Sequence, residues 1–542
     1  MIQAPLPARR PLTLRVLLVG VPLSLLITAY SAWAGLKVGG VYWPIATATL
    51  LAMAILRLAG GAGPQEANVA ATAASTGGLL AAGVVFTVPA AWLLGVEISG
   101  FEVTLVALVG GLLGVLFTLP LRAEMIERLA LPYPDGIAAA RMLEAGDEGG
   151  AKVRLLLAAL AAAGLFAALR DGAGWLPAVV GLDQGGAGLA KWLSLGASVS
   201  LVPLAGGFLI GPRFTGAWLA GGATAWWLAL PLLVAGGRFA DKGAAVAGAT
   251  RPFGIGVIVG ASLAFFLLSG LPALGPLLAR RSQLTPRRTL LGAAAAALLA
   301  ALVAVVLALP LWLGLVAVLA SLAVAYVAAR IAGELNIDPM EIFAVAILLA
   351  LLLVVELPVR ASVMLAAVLC LAAGMAGDFL QDLKAGHLVG TPPRDQAIAQ
   401  VVSVVVTAPV LGLVLEAIRG RFTLGSVDLP APQAVALAAL IDPAEGGAST
   451  FFEGPLGWGL LAGGLALALA QRLGAGLLPI AFGIGLYAPI ELSLPLFLGG
   501  LVRAWADRRG LEEPGRLLAA GAIAGEGLVG VGIALWGFLS RF

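Results

Sequence analysis

One carboxylate raises the question of chemistry at once. Glu526, between Gly525 and Gly527, lies well inside an apolar run, 517–539, that contains no Lys, Arg or His. A carboxylate at bilayer depth is costly, and such groups are usually retained for function. A carboxyl held out of water suits a proton carrier; the alternative is a structural hydrogen bond to a neighbouring helix. Four further polar segments interrupt apolar stretches. Gly63-Pro64-Gln65-Glu66-Ala67-Asn68 is followed by Thr72, Ser75 and Thr76. Glycine and proline break a helix there, and irregular backbone at depth must be buried in protein or line a wet cavity, unless this is an ordinary turn with a helix cap. Pro132-Tyr133-Pro134-Asp135-Gly136 reads as a turn into a small-residue helix, with Asp135 either a cap or a substrate contact. Asp378 and Asp382 are four apart, hence on one helix face, and Lys384 follows; a solvated loop is the alternative. Pro489 and Pro495 flank Glu491 just after Tyr487, which predicts a kinked or broken helix.

Carboxylates, amides and broken helix ends are what a zwitterionic solute needs on its way through a membrane. Bond-making chemistry has less support. The single histidine, His387, leaves no Ser/His/Asp set, and Asp378 with Asp382 is the only close acidic pair an intramembrane enzyme could use. No G-x-x-x-x-G-K-[ST] loop is present, which argues against an ATPase within this chain. Gly254-Ile255-Gly256 with Gly260 lies in an apolar run and reads as helix packing rather than a dinucleotide loop. One cysteine, Cys370, permits no internal disulfide, and no His/Cys cluster can bind a bare soft metal ion. No cofactor or resident metal is expected, although a metal could pass through as a chelate.

The elements that position these residues are membrane helices. The 542 residues are 61% hydrophobic and 11% charged, with mean hydropathy +1.04 and net charge +3. That composition excludes a soluble enzyme, a disordered chain and a nucleic-acid binder. Apolar windows predict helices near 16–34, 41–58, 69–95, 101–121, 151–169, 190–210, 213–235 and 252–270, then 289–309, 311–329, 338–356, 361–377, 396–416, 455–470, 475–500 and 517–539. Spans of about 20 residues each are consistent with this length. The many glycines and alanines suit closely packed helices. Arg9, Arg10 and Arg15 before 16–29, with Ala32-Trp33-Ala34, resemble a signal peptide, but an uncleaved first helix is the better reading because apolar segments continue to the end. With the N-terminus inside, the basic loops 122–154 and 279–288 fall inside, as the positive-inside rule asks. The loop 503–516, with Arg503, Arg508, Arg509 and Arg516, counts to the outside, unless 475–502 contains two short segments or the count is off by one. Glu66-Ala67-Asn68-Val69 recurs as Glu334-Leu335-Asn336-Ile337, each copy before an apolar run, which suggests two related halves.

Together these segments resemble the oligopeptide transporter (OPT) family, which includes the yellow-stripe-like metal-chelate transporters. The resemblance rests on Glu66-x-Asn68-Val69, Tyr133-Pro134-Asp135-Gly136, Gly211-Pro212-Arg213 and Glu334-Leu335-Asn336-Ile337-Asp338-Pro339. It continues through Gly377-Asp378-x-x-Gln381-Asp382-Leu383-Lys384-x-Gly386, Pro393-Arg394-x-Gln396, Gly483-Ile484-Gly485-Leu486-Tyr487-x-Pro489 and Ala524-Gly525-Glu526. It implies about sixteen helices and proton-driven import of small peptides or of metals held by peptide-like chelators. His387, Ala385 and Asp135 depart from the family pattern, which leaves the substrate class open.

The expected fold is an all-α polytopic transmembrane helical bundle of about 16 helices with some broken or re-entrant segments. Its parts are a cytoplasmic tail over 1–15 and two related halves over 16–280 and 281–542. The expected activity is proton-coupled symport of short oligopeptides, with a metal–chelate importer as the alternative. Glu66, Asn68, Glu334 and Asn336 are pathway candidates as a pseudo-symmetric pair. Tyr133, Asp378, Asp382, Lys384, Tyr487 and Glu491 are secondary candidates, and Glu526 is the proton-coupling candidate. Partners are the lipid bilayer, the small peptide or metal–chelate substrate and protons, with a homo-oligomer left open and no nucleic acid. A bacterial inner membrane with a cytoplasmic N-terminus is the expected location.

Overall fold

In lipid, backbone groups find no water, so a spanning chain must bond its own backbone as helix. The computed structural model describes residues 10–40, 45–145, 149–181, 194–279, 286–338, 340–442 and 454–540. Its chain begins with α1 (Leu14–Val38), α2 (Ile45–Leu58), α3 (Pro64–Val85), α4 (Pro89–Leu93), α5 (Gly100–Arg122), α6 (Pro134–Ala145) and α7 (Gly149–Ala167). A two-stranded antiparallel ribbon, β1 (Val179–Gly181) and β2 (Gly196–Ser198), precedes α8 (Leu201–Ile210), α9 (Pro212–Gly222), α10 (Leu230–Ala235) and α11 (Lys242–Ala245). Next come α12 (Arg251–Phe265), α13 (Leu271–Ala279), α14 (Pro286–Val306), α15 (Leu311–Leu335), α16 (Met340–Leu352), α17 (Val359–Val389) and α18 (Pro393–Arg421). The chain closes with α19 (Pro432–Ile441), α20 (Gly454–Arg472), α21 (Leu478–Tyr487), α22 (Ile490–Arg508) and α23 (Glu512–Leu539).

Among the described residues, eleven helical stretches are long and apolar enough to cross a membrane, and six shorter apolar helices accompany them. The polytopic helical bundle is therefore the fold. Local chemistry sets the helix ends. Thr13 accepts from the Val16 amide at the start of α1, and Gly39 ends that helix in a left-handed turn at φ 67°. Ser99 and Glu102 cap α5 reciprocally. The apolar window of Pro64–Leu93 is wholly buried and that of Val359–Val389 is 94% buried, against 17% for Gly150–Gly172. Thus α3 and α17 form the centre of the bundle and α7 lies at its edge.

Several expectations change. The segment 361–377 was expected to end before a polar stretch, but α17 continues through Asp378 and His387 to Val389, because neighbouring helices satisfy its polar side chains. The helix expected over 190–210 starts at Leu201, after β2 and the cap Ser200; residues 190–193 lie outside the described set. The run 475–500 splits at Ala488-Pro489 into α21 and α22, and Pro495 sits inside α22 without ending it. This break removes the loop-charge conflict. Lys152 at the start of α7 pairs with Glu513 at 2.6 Å, and Arg503 pairs with Glu512 at 2.5 Å. The loop 503–516 therefore lies on the same face as the basic loop 122–154. Arg15–Glu66 at 3.1 Å and the Arg122–His387 contact at 3.3 Å mark that face too. Arg9, Arg280 and Arg281 lie outside the described residues.

Lipid tails supply no hydrophobic drive between helices, so close backbone approach through small residues holds a bundle together. In α12, Gly256 and Gly260 sit against the Leu456 and Leu460 carbonyls, while Gly459 and Gly463 of α20 sit against the Phe253 and Val257 carbonyls. The Gly254–Gly260 run is thus a packing surface. Gly275 of α13 has nothing within 4 Å of where a Cβ would lie. Gly260→Leu should destabilise the folded protein by about 3 kcal/mol, whereas Gly275→Ala should leave it unchanged or raise it by up to about 1 kcal/mol. Thermal unfolding in detergent, followed by tryptophan fluorescence, separates the two.

Candidate functional site

The face opposite the basic loops carries a cavity. At the ends of α1 and α18, Trp33, Lys37, Arg421, Phe422 and Asp428 meet Arg170, Asp171 and the β1–β2 ribbon around a volume of about 350 Å³. A second cavity of about 340 Å³, which shares Val427 with the first, is lined by Arg251, Pro432, Tyr487, Pro489 and Glu491. Both signs of charge and aromatic faces therefore line one end of the bundle. Trp33 meets Phe422 edge-on at 4.9 Å between centroids, and the Lys37 ammonium lies 5.6 Å from the Trp33 ring centroid. The Tyr487 hydroxyl donates to the Pro432 carbonyl at 2.7 Å, which fastens the end of α21 to the start of α19.

Glu526 lies directly beneath the first cavity. Alone in its sequence run, it meets two cations in space: Lys37 Nζ at 3.2 Å and Arg170 Nη2 at 3.0 Å. The Ser200 hydroxyl donates to it at 2.6 Å, and the Leu201 and Val202 amides donate at 2.7 and 3.3 Å. These amides are the first two of α8, so the carboxylate also caps a positive helix end. Arg170 is carried on a π-helical turn, Ala168–Gly172, that ends α7. It forks onto Asp171 with two bonds of 2.6 Å and donates to the Val199 carbonyl at 2.5 Å. Two cations and two carboxylates balance, and Glu526 is fully buried among them.

The other residues singled out from sequence fall into two groups. On the basic face, the Tyr133, Asn336 and Lys384 motifs converge. Asn336 donates to Asp135 at 3.2 Å and accepts from Gln381 at 2.9 Å; Gln381 in turn accepts from the Gly136 amide at 2.9 Å. Lys384 donates to the Leu131 carbonyl at 2.9 Å, and Tyr133, fully buried, donates to the Ala329 carbonyl at 2.7 Å. Glu334 pairs with Arg330 at 2.8 Å in its own helix. The repeated Glu-x-Asn motif takes two different local forms: Glu66 and Asn68 open α3, whereas Glu334 closes α15 and Asn336 is its left-handed cap at φ 56°. In the bundle centre, Asp382 accepts from Ser75 at 2.7 Å, and Gln396 bridges Thr72 at 3.1 Å and the Asp382 carbonyl at 2.8 Å.

Sequence reasoning missed Lys37, Arg170, Arg421, Asp428, Gln396 and Gln400. Two signals were available: Lys37 is the only charged residue between Arg15 and Arg57, and Gln396, Gln400, Ser403 and Thr407 repeat at one-face spacing. Asp338 was also passed over. Its carboxylate oxygens are buried against Gly374 and Gly377 of α17. Burial first, then the charges of Asp378 and Glu341, push its carboxyl above the usual carboxylate range. Among the described residues, no group of three or more His, Cys, Asp or Glu side chains could hold a metal ion.

A polytopic helical bundle with a charged, solute-sized cavity at one end and internal polar side chains is the architecture of a membrane transporter. The chain belongs to the OPT oligopeptide transporter protein family, whose description matches residues 11–289 and 279–536. It is also 27% identical over 596 aligned positions to a Haemophilus influenzae protein named "Putative oligopeptide transporter", with 92% of this chain and 91% of that protein covered.

The Glu526 network predicts its own energetics. Removing one member of a buried ion cluster strands its partners. Glu526→Gln should cost about 3 kcal/mol or more of stability, and adding Lys37→Met should recover part of it. Melting curves of the two variants test this; a Glu526→Gln protein as stable as wild type contradicts the network.

Proposed function

We propose that this transporter is a proton-driven symporter of short peptides, with the mixed-charge cavity as its substrate-facing site. The observation that carries this reading is the cavity lining: Lys37 and Arg421 can receive a peptide carboxylate, while Asp428 can receive its ammonium. Trp33 and Phe422 offer apolar faces to side chains between the two ends. A volume of about 350 Å³ is in the range of small-molecule sites. The relative's name, which specifies oligopeptides, points the same way.

In this reading Glu526 holds Lys37 and Arg170 under the cavity floor rather than carrying the proton itself. Tyr487 and Glu491 flank the second chamber, on the way inward. Tyr133, Asn336 and Lys384 mark the exit on the basic face, together with Glu66 and Glu334, and Asn68 and Asp378 lie nearer the route between. The positive-inside rule makes that basic face cytoplasmic and the cavity external, which suits import across a bacterial inner membrane.

Purified protein in liposomes under an imposed pH gradient tests the reading through internal pH. A tripeptide mixture should acidify the lumen; a metal–chelate mixture should not, and acidification by chelates alone would move the assignment to metal–chelate import. N-acetylated tripeptides should enter about tenfold less efficiently, the loss of one charged hydrogen bond. Asp428→Asn should raise KM for free tripeptides and narrow that tenfold gap.

A further inference from the structure

The centre of the bundle contains polar side chains that nothing above uses. On α18, Gln396, Gln400, Ser403 and Thr407 recur at one-face spacing and are all fully buried. They face Asn68, Thr72 and Ser75 of α3, each no more than 1% exposed. Ser403 donates to the Ala73 carbonyl at 2.6 Å. The Thr407 hydroxyl meets Ser24 of α1 at 3.1 Å, and α1 continues the line with Thr28 and Ser31. Beyond Ser31, the same helix reaches Lys37 and the cavity. At 1.5 Å per residue, Gln396 to Thr407 rises about 16 Å and Ser24 to Ser31 about 10 Å. The seam thus covers most of a hydrocarbon core of about 30 Å.

This seam is incompletely bonded. The Oδ1 of Asn68, the Oε1 atoms of Gln396 and Gln400, and the hydroxyls of Ser31 and Thr391 are buried without a hydrogen-bond partner. A purely structural seam in lipid would be fully paired, because each buried unpaired group is costly. Unused acceptors in a row are what successive waters or a relayed proton require. One ionisable side chain stands in the seam among the described residues, Asp382, 1% exposed and held by Ser75. No Lys, Arg or His pairs with Asp382 among the described residues, in contrast to Glu526. Asp378, one turn earlier on α17, and Asp338, packed on Gly374 and Gly377, are the charged groups toward α15; Lys384 reaches away to Leu131. Asp135 bonds to Asn336 near α6, and Glu66 of α3 is paired with Arg15 at the basic face.

We propose that the seam between α1, α3, α17 and α18 is a proton path, and that Asp382 is the carboxyl that binds and releases the coupled proton. The assignment rests on the proton-coupled reading above. The proton reaches Asp382 from the cavity side along Ser31, Ser24 and Thr407, and leaves toward Asn68 and Gln396; no covalent step is involved.

Infrared titration of the full-length protein tests the assignment without any cargo. Lowering the pH should produce a protonated-carboxyl band that Asp382→Asn removes and that Asp378→Asn and Asp338→Asn leave in place. A titrating band left unchanged by Asp382→Asn, or one that only Asp338→Asn removes, overturns the proposal. In liposomes, Asp382→Asn should reduce gradient-driven peptide accumulation to a ratio of about 1 while keeping peptide exchange within about twofold of wild type. Uphill accumulation by Asp382→Asn equally overturns it. Should that variant misfold, Ser75→Ala should shift the pH at which the infrared band appears, and an unshifted band counts against the proposal. A wild-type protein that shows the Asp382 band yet moves no peptide would defeat the cargo reading and leave the proton site standing.

Discussion

Everything in this bundle depends on how closely its helices approach one another. Between α1 and α3, Gly20 lies against the Ala70 carbonyl and Gly77 against the Ser24 carbonyl. Gly207 of α8 meets the Leu496 carbonyl of α22, and Gly525 of α23 meets the Leu160 carbonyl of α7. Small residues at these crossings bring backbones together, which replaces the hydrophobic drive that lipid cannot supply. The same closeness has a chemical effect. It leaves no lipid between helices, so a serine, glutamine or aspartate at a crossing is enclosed by protein. Buried polar groups and tight glycine contacts therefore occur on the same helices, and Gly386 shows both, pressed against the Asn68 and Gln396 amides.

Charge follows a second pattern. At the cavity floor, Lys37, Arg170, Asp171 and Glu526 neutralise one another, so several ionised groups share a buried site without leaving a net charge. In the bundle centre, Asp382 has a hydroxyl in place of a cation. The two carboxylates are similarly buried and differ in company. One environment fixes the ionised form through five donors; the other supplies a single neutral one. Burial alone does not determine what a carboxylate does; its neighbours do.

Much of the fold was legible because apolar runs and prolines act locally. Pro489 splits α21 from α22, and that single break brings the loop at 503–516 onto the basic face. The short α19 escaped notice because ten residues in a moderately apolar stretch resemble any loop flank. The polar end of α17 was ambiguous for a different reason: Asp378, Gln381 and Asp382 look like a solvated loop until α3, α6 and α15 supply partners from distant sequence. Glu526 was recognisable as unusual, but its partners lie 489 and 356 residues away, where no local pattern points. Tyr133, Asn336 and Lys384 were legible as motifs, and their convergence at one face was not.

The distance between Lys37 and Glu526 also bears on biogenesis. A ribosome delivers α1 before α23, so Lys37 enters the membrane while the helix that carries Glu526 is still unmade. During that interval the ammonium must stay at the interface, where a long aliphatic stem lets it reach water. Its place at the very end of α1, one residue before the helix stops, allows that. Docking of α23, the last helix described, then draws the lysine inward and closes the cavity floor. The charged cavity floor is complete only when α23 arrives, so a ribosome stalled before α23 would leave α1 inserted but its lysine still facing water.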